Sequence, residues 1–357
     1  MSVKIIAEAG VNHNGNKDLA FELVKKASEA GADIVKFQTF KADKIVTRSA
    51  NQADYQVENT GKKESQFEML KRLELDYETH HELMDFCKSV NIEFLSTAFD
   101  NDSLDFLVND LKLNLLKIPS GEITNAPFLL AHARTGLDLI ISTGMSTLQE
   151  VENALGVLAF GYLNNNESPS IEAFKNAFSS CEGQKLLKEK VTVLHCTTQY
   201  PTPMKEVNLL AMKKMENTFN LMTGYSDHTL GIHIPVAAVS MGACLIEKHF
   251  TIDKEMEGPD HKASLDPEEL KEMVSLIRDT EIALGDGKKA PRGKEIENKD
   301  VIRKSIVANK DIKSGETYTV DNLTIKRPGL GISPFKYWSL LGTKATKDTS
   351  ADGVINE

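Results

Sequence analysis

Short apolar runs recur along the first 285 residues of the chain, and segments with helical spacing separate them. Eight such runs predict strands at 4–10, 33–40, 93–99, 115–120, 139–144, 191–198, 221–226 and 243–251. The intervening segment "LAFELVKKASEAGAD" has apolar residues on one helical face and a stop signal at Gly31. A later helix is bounded by Asp266 as N-cap, Pro267 at its first position and Gly285 at its end.

Eight strand–helix alternations favour a (β/α)8 TIM barrel, an α/β fold, over a doubly wound open sheet. The open sheet usually carries a GxGxxG turn after its first strand. Here "AEAGVNHNGN" occupies that place, and GxGxxG is absent.

Polar residues lie near the C-terminal end of every predicted strand, which is where barrel enzymes place their active sites. In chain order they are Glu8, Lys36 with Gln38, Ser96 with Thr97, Lys117 with Ser120, Ser142 with Thr143, His195 with Thr197, Ser226 with His228, and Glu247 with His249. Eight sets at one end predict a functional site at the barrel mouth. Because side chains alternate along a strand, Lys248 is expected to point towards the helices instead.

Two long insertions interrupt the alternation. Residues 41–75 follow the second strand, so we expect them over the mouth as a lid. Residues 162–190 precede the sixth strand, so we expect them at the bottom face, without a part in the chemistry.

The last 70 or so residues have a different pattern. A charged stretch with Gly and Pro at 286–296 predicts a linker after a barrel at 1–285. Residues 297–357 contain short strands and the turn signal "KSGE", which predict a small β-rich domain. In "KRPGLG", Arg327 stands at a Pro/Gly corner, and spacing alone favours a solvated arginine.

Composition narrows the function classes. The 357 residues carry a formal net charge of −10, which disfavours nucleic acid as a partner. The sequence contains no run of 18 apolar residues, so no membrane span is predicted, and the N-terminus lacks a signal-peptide pattern. A cytoplasmic protein is therefore expected. The four cysteines lie far apart, which predicts free thiols. For Cys196 a small core residue is favoured over a nucleophile.

The mouth residues permit more than one chemistry. His228 and His249 come from adjacent strands and are candidates to share one divalent metal, with a hydrogen-bonded histidine pair as the alternative. Lysines at the mouth can bind a phosphate or a carboxylate, or one of them can form the Schiff base of an aldolase. The candidates for anion binding are Lys36, Lys117, Ser120 and Ser226. The candidate acid/base or metal-orienting carboxyl groups are Glu8, Glu122 and Glu247. Asp260 lies on the loop after the eighth strand, above the mouth, and is a candidate to hydrogen-bond a polyol.

Nine segments, in order along nearly the whole chain, resemble the sialic acid synthase family. They are "IIAEAGVNHNG", "VKFQTFKADK", "LKIPSGEITN", "ISTGMS", "HCTTQYPTP", "GYSDHT", "IEKHFT", "GPDHKASL" and "KRPGLGIS". The tail resembles the antifreeze-like (SAF) module of that family. The alternative to an enzyme is a sugar-binding protein on an inert barrel, but the polar residues at every strand end disfavour it.

The resemblance implies condensation of phosphoenolpyruvate with an N-acylated amino sugar, giving a nine-carbon 2-keto acid and phosphate. It implies a divalent metal on His228 and His249, typically manganese, with magnesium or cobalt as alternatives. Phosphoenolpyruvate would be bound by Lys36, Lys117, Ser120 and Ser226. The sugar and the reacting centre would face Glu8, Gln38, Glu122, Tyr200 and Asp260.

The resemblance further implies a domain-swapped homodimer, in which Arg327 reaches a neighbouring subunit's barrel and touches the N-acyl group. The acceptor sugar is either N-acetylmannosamine or a 2,4-diacetamido-6-deoxy sugar, and the motifs favour the legionaminate and bacterial sialate branches over the pseudaminate branch. Glu8 is the expected group for placing water or moving a proton, beside Glu122 and Lys36.

Overall fold

The computed structural model describes residues 2–164 and 167–356. It divides into two compact units, Met1–Gly285 and Asp286–Glu357. The first unit is a closed barrel of eight parallel strands that pair in chain order, as the sequence predicts. The strands are β1 (Lys4–Gly10), β2 (Ile34–Thr39), β3 (Glu93–Ala98), β4 (Leu115–Ile118), β5 (Asp138–Ser142), β6 (Val191–Cys196), β7 (Met222–Asp227) and β8 (Leu245–His249).

Helices surround the barrel and connect its strands. They are α1 (Lys17–Ala30), α2 (Ala42–Ile45), α3 (Asp54–Thr60), α4 (Gln66–Leu73), α5 (Tyr77–Ser89), α6 (Asn101–Asp105), α7 (Ala126–Arg134), α8 (Leu148–Leu163), α9 (Ile171–Ser179), α10 (Cys181–Lys190), α11 (Leu210–Phe219), α12 (His233–Ser240) and α13 (Pro267–Leu284). A π-helical turn spans Phe106–Asp110, and 3-10 turns span Ser120–Glu122, Met204–Glu206 and His261–Ala263. No helix of the described residues is long and apolar enough to cross a membrane.

Local signals set the helix ends as predicted. Gly31 ends α1 in the left-handed conformation, with φ 83°. Glycine adopts this conformation readily because it has no Cβ atom to clash with the backbone. Asp266 accepts a hydrogen bond from the Glu269 backbone at the start of α13, and Pro267 takes the first helical position.

An aliphatic plug fills the barrel interior below the mouth. Its members are Ile6, Ile34, Leu95, Ile140, Leu194 and Leu245. Each stands two residues before a mouth-facing residue, so the same strand face is apolar at the bottom and polar at the top. Gly224 fits beside this plug because a Cβ there would lie 2.7 Å from Leu194 Cδ2 and 2.4 Å from the Leu245 carbonyl oxygen.

The insertion at 41–75 forms α2, α3 and α4 and lies over the mouth, as expected. A separate hydrophobic cluster, the lid core, holds it there: Val11, Phe40, Met69 and Leu73, packed with Ile45, Leu70 and Phe99. The Asn59 amide also donates to the Pro259 carbonyl at 2.7 Å, which ties α3 to the loop after β8.

The expected bottom-face position of 162–190 is wrong for α9. This helix packs alongside α8, where a Cβ on Gly156 would lie only 3.0 Å from the Phe174 carbonyl oxygen. Together α7, α8 and α9 border a cavity that also includes Ile123 and Gln149, which follow the C-terminal ends of β4 and β5. The helical spacing of "IEAFKNAFS" gives α9 an apolar face, and α8 offers the surface that buries it.

The second unit has its own small core. It contains α14 (Lys294–Ile302), β9 (Ser305–Ala308), β10 (Leu323–Lys326), a 3-10 turn (Pro334–Lys336) and α15 (Tyr337–Leu340). The two strands pair antiparallel. In the predicted "KSGE" turn Gly315 has φ 84°, and the Glu316 N–H donates to the Lys313 carbonyl at 2.9 Å. The first residues of α14 lie inside the segment predicted as a linker.

Candidate active site

A cavity of about 260 Å³ opens at the C-terminal ends of the barrel strands. All eight strands or the loops that follow them contribute to its lining, which the polar strand ends predict. The polar and ionisable residues that line it include Glu8, Lys36, Gln38, Thr97, Lys117, Ser120, Ser142, Thr198, Tyr200, Ser226, His228, Glu247, His249 and Asp260.

Alternating lysines and carboxylates form a buried ion-pair chain across this cavity. Lys36 Nζ lies 2.7 Å from Glu8 Oε2 and 3.6 Å from Glu247 Oε2. Lys117 Nζ lies 3.4 Å from the other oxygen of Glu247. Strand register creates the chain, because Glu8 pairs with Lys36 on one side and with His249 on the other. Each charge therefore has an opposite charge beside it, which burial requires.

The pairing separates the protonation states of the two carboxyl groups. Burial raises the pKa of Glu8, although Lys36 opposes that effect. Burial would also raise the pKa of Glu247, but Lys117 and Lys36 outweigh it and hold the pKa at about 2. Two carboxyl groups on either side of one lysine are thus set for different roles, Glu247 as a carboxylate and Glu8 as the more easily protonated group.

The two lysines also differ. Burial would lower the pKa of Lys36, but Glu247 and Glu8 raise it. Burial lowers the pKa of Lys117, and the nearby Lys36 adds to that effect. Thr97 and Ser142 accept hydrogen bonds from Lys36 and Lys117 at 3.1 and 2.7 Å, so both ammonium groups are held in place.

Hydroxyl groups surround the lysine side of the cavity. Ser226 donates to Glu247 Oε1 at 2.9 Å. Ser120 Oγ accepts from the Gly144 N–H at 2.9 Å and lies 3.1 Å from Cys196 Sγ. A Cβ on Gly144 would lie 2.3 Å from Thr198 Oγ1 and 2.9 Å from Ser120 Oγ, so only glycine lets these two hydroxyl groups pack against the backbone here.

His228 and His249 lie together at the mouth, with ring centroids 5.5 Å apart. His228 Nδ1 lies 2.6 Å from the Thr197 carbonyl oxygen, which can only accept, so Nδ1 carries the proton and Nε2 is left with its lone pair. His249 Nδ1 is buried without a hydrogen-bond partner among the described residues, 3.8 Å from Asp260 Oδ2. Burial lowers the pKa of both imidazoles, which favours their neutral form.

These two rings fit an open metal site. Neutral imidazole is the form that binds metals, and the hydrogen bond from Nδ1 to the Thr197 carbonyl fixes the tautomer of His228, as the bond from the other ring nitrogen does in known metal sites. Within the described ranges, no group of three or more His, Cys, Asp or Glu residues is arranged to hold a cation by itself. Two protein ligands would leave the other positions to water and substrate oxygens.

A short hydrogen-bond network through Asn12 and Ser264 fixes the loop that carries Asp260. The Asn12 amide, which is 1% exposed, donates to the Phe250 carbonyl at 2.8 Å and to Ser264 Oγ at 2.9 Å. Ser264 Oγ in turn donates to the Asp260 carbonyl at 2.7 Å. Burial, with a smaller contribution from Glu8, raises the pKa of Asp260 to about 7. The "NHNG" segment after β1 thereby positions a carboxyl group that can carry a proton near neutral pH.

The remaining predicted site residues divide between the cavity and the surface. Tyr200 packs its ring 4.2 Å from the His228 ring, and the Gln38 amide donates to Glu8 Oε1 at 3.2 Å. Glu122 instead accepts from Asn125 at 2.7 Å in the turn after β4, outside the cavity lining. Arg327 is exposed in the second unit, before a cis peptide bond to Pro328. The roles of Glu122 and Arg327 stay predictions.

The expectation that His195 and Thr197 face the mouth is wrong, because the parity of β6 is shifted by one residue. Cys196 and Thr198 line the cavity, while His195 Nε2 lies 2.8 Å from the Val207 carbonyl oxygen, on the helix side. Leu194 lies in the interior plug, so Cys196, two residues later, faces the mouth. The sequence gives no signal for this parity, because Val193 and Leu194 are both apolar. Lys248 points away from the cavity as expected, into a buried ion pair with Asp227.

Comparison with known proteins shows the family to which the chain belongs. Residues 23–289 match the NeuB family, and residues 303–356 match the SAF domain. The chain is 50% identical to an N,N'-diacetyllegionaminic acid synthase of Campylobacter jejuni over 99% of its own length and 98% of the relative. It is 46% identical to the enzyme of that name from Legionella pneumophila, over 99% and 94%. The crystal structure of an N-acetylneuraminic acid synthetase from Leptospira borgpetersenii, in complex with citrate, is 31% identical and superposes with a TM-score of 0.66, covering 84% of this chain and 90% of that one.

Proposed function

The chain belongs to the NeuB family, and we propose that it condenses phosphoenolpyruvate with 2,4-diacetamido-2,4,6-trideoxymannose to give N,N'-diacetyllegionaminic acid and phosphate. The observation that carries the proposal is the buried chain of Glu8, Lys36, Glu247 and Lys117 beside two neutral histidines. The two relatives of that activity, at 50% and 46% identity over nearly the full length, support the choice of sugar.

The lysines account for binding of the anionic substrate. Phosphoenolpyruvate carries a carboxylate and a phosphate, and this acidic protein must gather positive charge locally to bind it. Lys36 and Lys117 neutralise that charge in a sheltered site, where ion pairs are strong. Ser226 and Ser120 place hydroxyl groups beside the lysines, where they can contact the carboxylate and phosphate oxygens of phosphoenolpyruvate.

The reaction forms one C–C bond and one C–O bond, the latter from water, and breaks the C–O bond to phosphate. The C3 carbon of phosphoenolpyruvate attacks the C1 aldehyde carbon of the sugar, and the aldehyde oxygen takes a proton to become a hydroxyl. Water adds to the cation-like C2 carbon and loses a proton. The resulting hemiketal phosphate releases inorganic phosphate as the C2–O bond breaks and the keto group forms.

The carboxyl groups are suited to these proton transfers. Glu8 and Asp260, whose pKa values burial raises, can donate a proton to the developing alkoxide. Glu247 stays ionised beside the lysines and can accept a proton from the added water. A divalent cation, which we propose to be manganese held by His228 and His249, would polarise the aldehyde carbonyl.

Two further parts of the proposal rest on the family resemblance. We propose a cytoplasmic, domain-swapped homodimer in which Arg327 contacts the N-acyl group in the partner's barrel. The exposure of Arg327 is compatible with such a contact.

Phosphate release tests the proposed function. Purified protein with manganese is incubated with phosphoenolpyruvate and either the diacetamido sugar or N-acetylmannosamine, with and without EDTA. We expect phosphate and a nine-carbon keto acid in equal amounts, fastest with the diacetamido sugar and absent with EDTA. Phosphate release that does not depend on a sugar, or none with either sugar, would refute the proposal.

A Schiff-base aldolase is the second candidate, because burial lowers the pKa of Lys117 and an uncharged lysine is a nucleophile. The hydrogen bond to Ser142 and the ion pair with Glu247 argue for a charged lysine instead. Borohydride trapping separates the two candidates. A reduced adduct on Lys117 by mass spectrometry would support the aldolase, and an unmodified chain would support the synthase.

A further inference from the structure

One side of the active-site cavity is apolar. We call it the apolar wall: it consists of Val11, Met69, Leu70, Leu73 and Phe99. Three of these residues come from the lid helix α4. All five also belong to the lid core, in which Met69 is 2% and Leu73 7% exposed. The wall is therefore the face of a packed cluster, and its shape is fixed by that packing.

The lid that carries this wall is fastened to the barrel at several points. Lys62 forms an ion pair with Glu257, next to the bond from Asn59 to Pro259. Gly15 lies so close to α4 that a Cβ there would be 2.3 Å from the Arg72 carbonyl oxygen. The loop after β8 that holds Glu257 and Pro259 also carries Asp260, so the position of the wall relative to this carboxyl group is fixed.

The rest of the lining around the reacting centre is polar. Glu8, Gln38, His249 and Asp260 supply hydrogen-bonding groups there. A sugar in the cavity thus meets polar groups on one side and aliphatic and aromatic carbon on the other. The two candidate acceptors differ at C4 and C6, where N-acetylmannosamine has hydroxyl groups and the other sugar has an acetamido group and a methyl group.

Desolvation decides between these substituents. A hydroxyl placed against the apolar wall loses water and finds no partner, whereas a methyl group gains from burial there. Because the acetamido group also ends in a methyl, the 6-deoxy sugar can present two methyl groups. An apolar wall is a poor surface for the secondary C4 hydroxyl and the primary C6 hydroxyl of N-acetylmannosamine.

We propose that the apolar wall selects the 4-acetamido, 6-deoxy acceptor over N-acetylmannosamine, and that Leu70 is its main specificity-determining residue. Leu70 lines the cavity and is only partly buried, so it can change with less disturbance of the lid core than Met69 or Leu73. This inference rests on the proposed function, since it assigns residues to the sugar preference of the same site.

The test measures kcat/KM of the manganese-loaded full-length protein for both sugars at saturating phosphoenolpyruvate. The variants are Leu70→Gln, which adds a polar group, and Leu70→Ala, which removes the contact. Leu70→Met is the conservative control, and Leu276→Gln on α13 makes the same change far along the chain at a position that is 39% exposed. Thermal melts establish that each variant is folded.

We expect the ratio of kcat/KM for the diacetamido sugar to that for N-acetylmannosamine to fall about tenfold in Leu70→Gln and to fall in Leu70→Ala. Leu70→Met and Leu276→Gln should keep the wild-type ratio. Equal losses for both sugars in folded variants, or an unchanged ratio, would overturn the inference while leaving the proposed function standing. A wild-type protein inactive with both sugars would instead overturn the proposed function.

Discussion

Glu247 Oε1 lies 3.4 Å from Lys117 Nζ, and both side chains are buried at the mouth of the barrel. The same carboxylate accepts a hydrogen bond from Ser226 at 2.9 Å. Its other oxygen lies 3.6 Å from Lys36 Nζ, so Glu247 contacts three of the groups that we assign to phosphoenolpyruvate binding. It balances the lysine charges before substrate binds.

Replacing Glu247 tests its assignment as a proton acceptor. Glu247→Gln keeps the size of the side chain but removes its basicity, so we expect kcat to fall about 100-fold or more. Phosphate release under saturating substrates measures the effect. Glu272→Gln, at an exposed position on α13, is the matched control. A kcat close to that of wild type in Glu247→Gln would contradict the assignment.

Replacing His249 tests the metal site. In His249→Ala one of two protein ligands is lost, so we expect turnover to fall about 100-fold or more while the fold is retained. Titration calorimetry with manganese should show the matching loss of affinity, and circular dichroism checks the fold. His233→Ala, an exposed histidine at the start of α12, should behave as wild type. Full activity in His249→Ala would rule out the two-histidine site.

The pKa of Asp260 predicts a pH effect on stability. Burial raises this pKa to about 7, from an ordinary value near 4. Between those values the folded protein keeps a proton that the unfolded chain has released, so this stabilisation is complete below about pH 4 and is lost as the pH rises through about 7.

We therefore expect the free energy of unfolding of wild type to decline relative to Asp260→Asn between about pH 5 and pH 8, by up to about 3 kcal/mol. Urea denaturation in EDTA at each pH measures it without metal. If the two proteins keep a constant difference across that range, the carboxyl group of Asp260 titrates at its ordinary pKa.

Asn12 is predicted to stabilise the loop that carries Asp260. Asn12→Ala leaves the Phe250 carbonyl and the Ser264 hydroxyl without their shared donor, so we expect a loss of about 1–3 kcal/mol in the free energy of unfolding. The kcat/KM for the sugar should fall as well. Asn109→Ala, at an exposed position where the amide donates to the nearby Asp105 carboxylate at 2.6 Å, should change neither quantity. Wild-type stability in Asn12→Ala would show that the hydrogen bonds of Asn12 do not stabilise the loop.

The barrel could be predicted from sequence because its signals are local. Each strand is a short apolar run, and residues such as Gly31 and Asp266 end or begin helices by their own chemistry. Most of the mouth residues follow from the same rule, since polar groups at strand ends share one edge. The prediction for β6 is wrong because polar residues at a strand end do not show which of two neighbours faces the mouth. Whether Cys196 or His195 faces inward depends on strand parity, which one residue of shift reverses.

The lid and the ion-pair chain depend on tertiary contacts that sequence patterns do not encode. The spacing of Leu70 and Leu73 predicts only the apolar face of an amphipathic helix. Packing of this face on Val11 and Phe99 makes it a wall of the cavity. In the sequence Glu247 is one of several candidate carboxyl groups, and only the folded barrel places it between Lys36 and Lys117. The position of α9 beside α8 is another case, since helix patterns do not specify their partners.

The fate of the enol carbon tests the central claim most directly. Phosphoenolpyruvate labelled with ¹³C at C3 is turned over with the diacetamido sugar, and the product is followed by NMR. We predict that the label appears in a CH₂ group bonded to a carbinol carbon of a nine-carbon acid. Recovery of the label in the methyl group of pyruvate, with the sugar unchanged, would contradict the account.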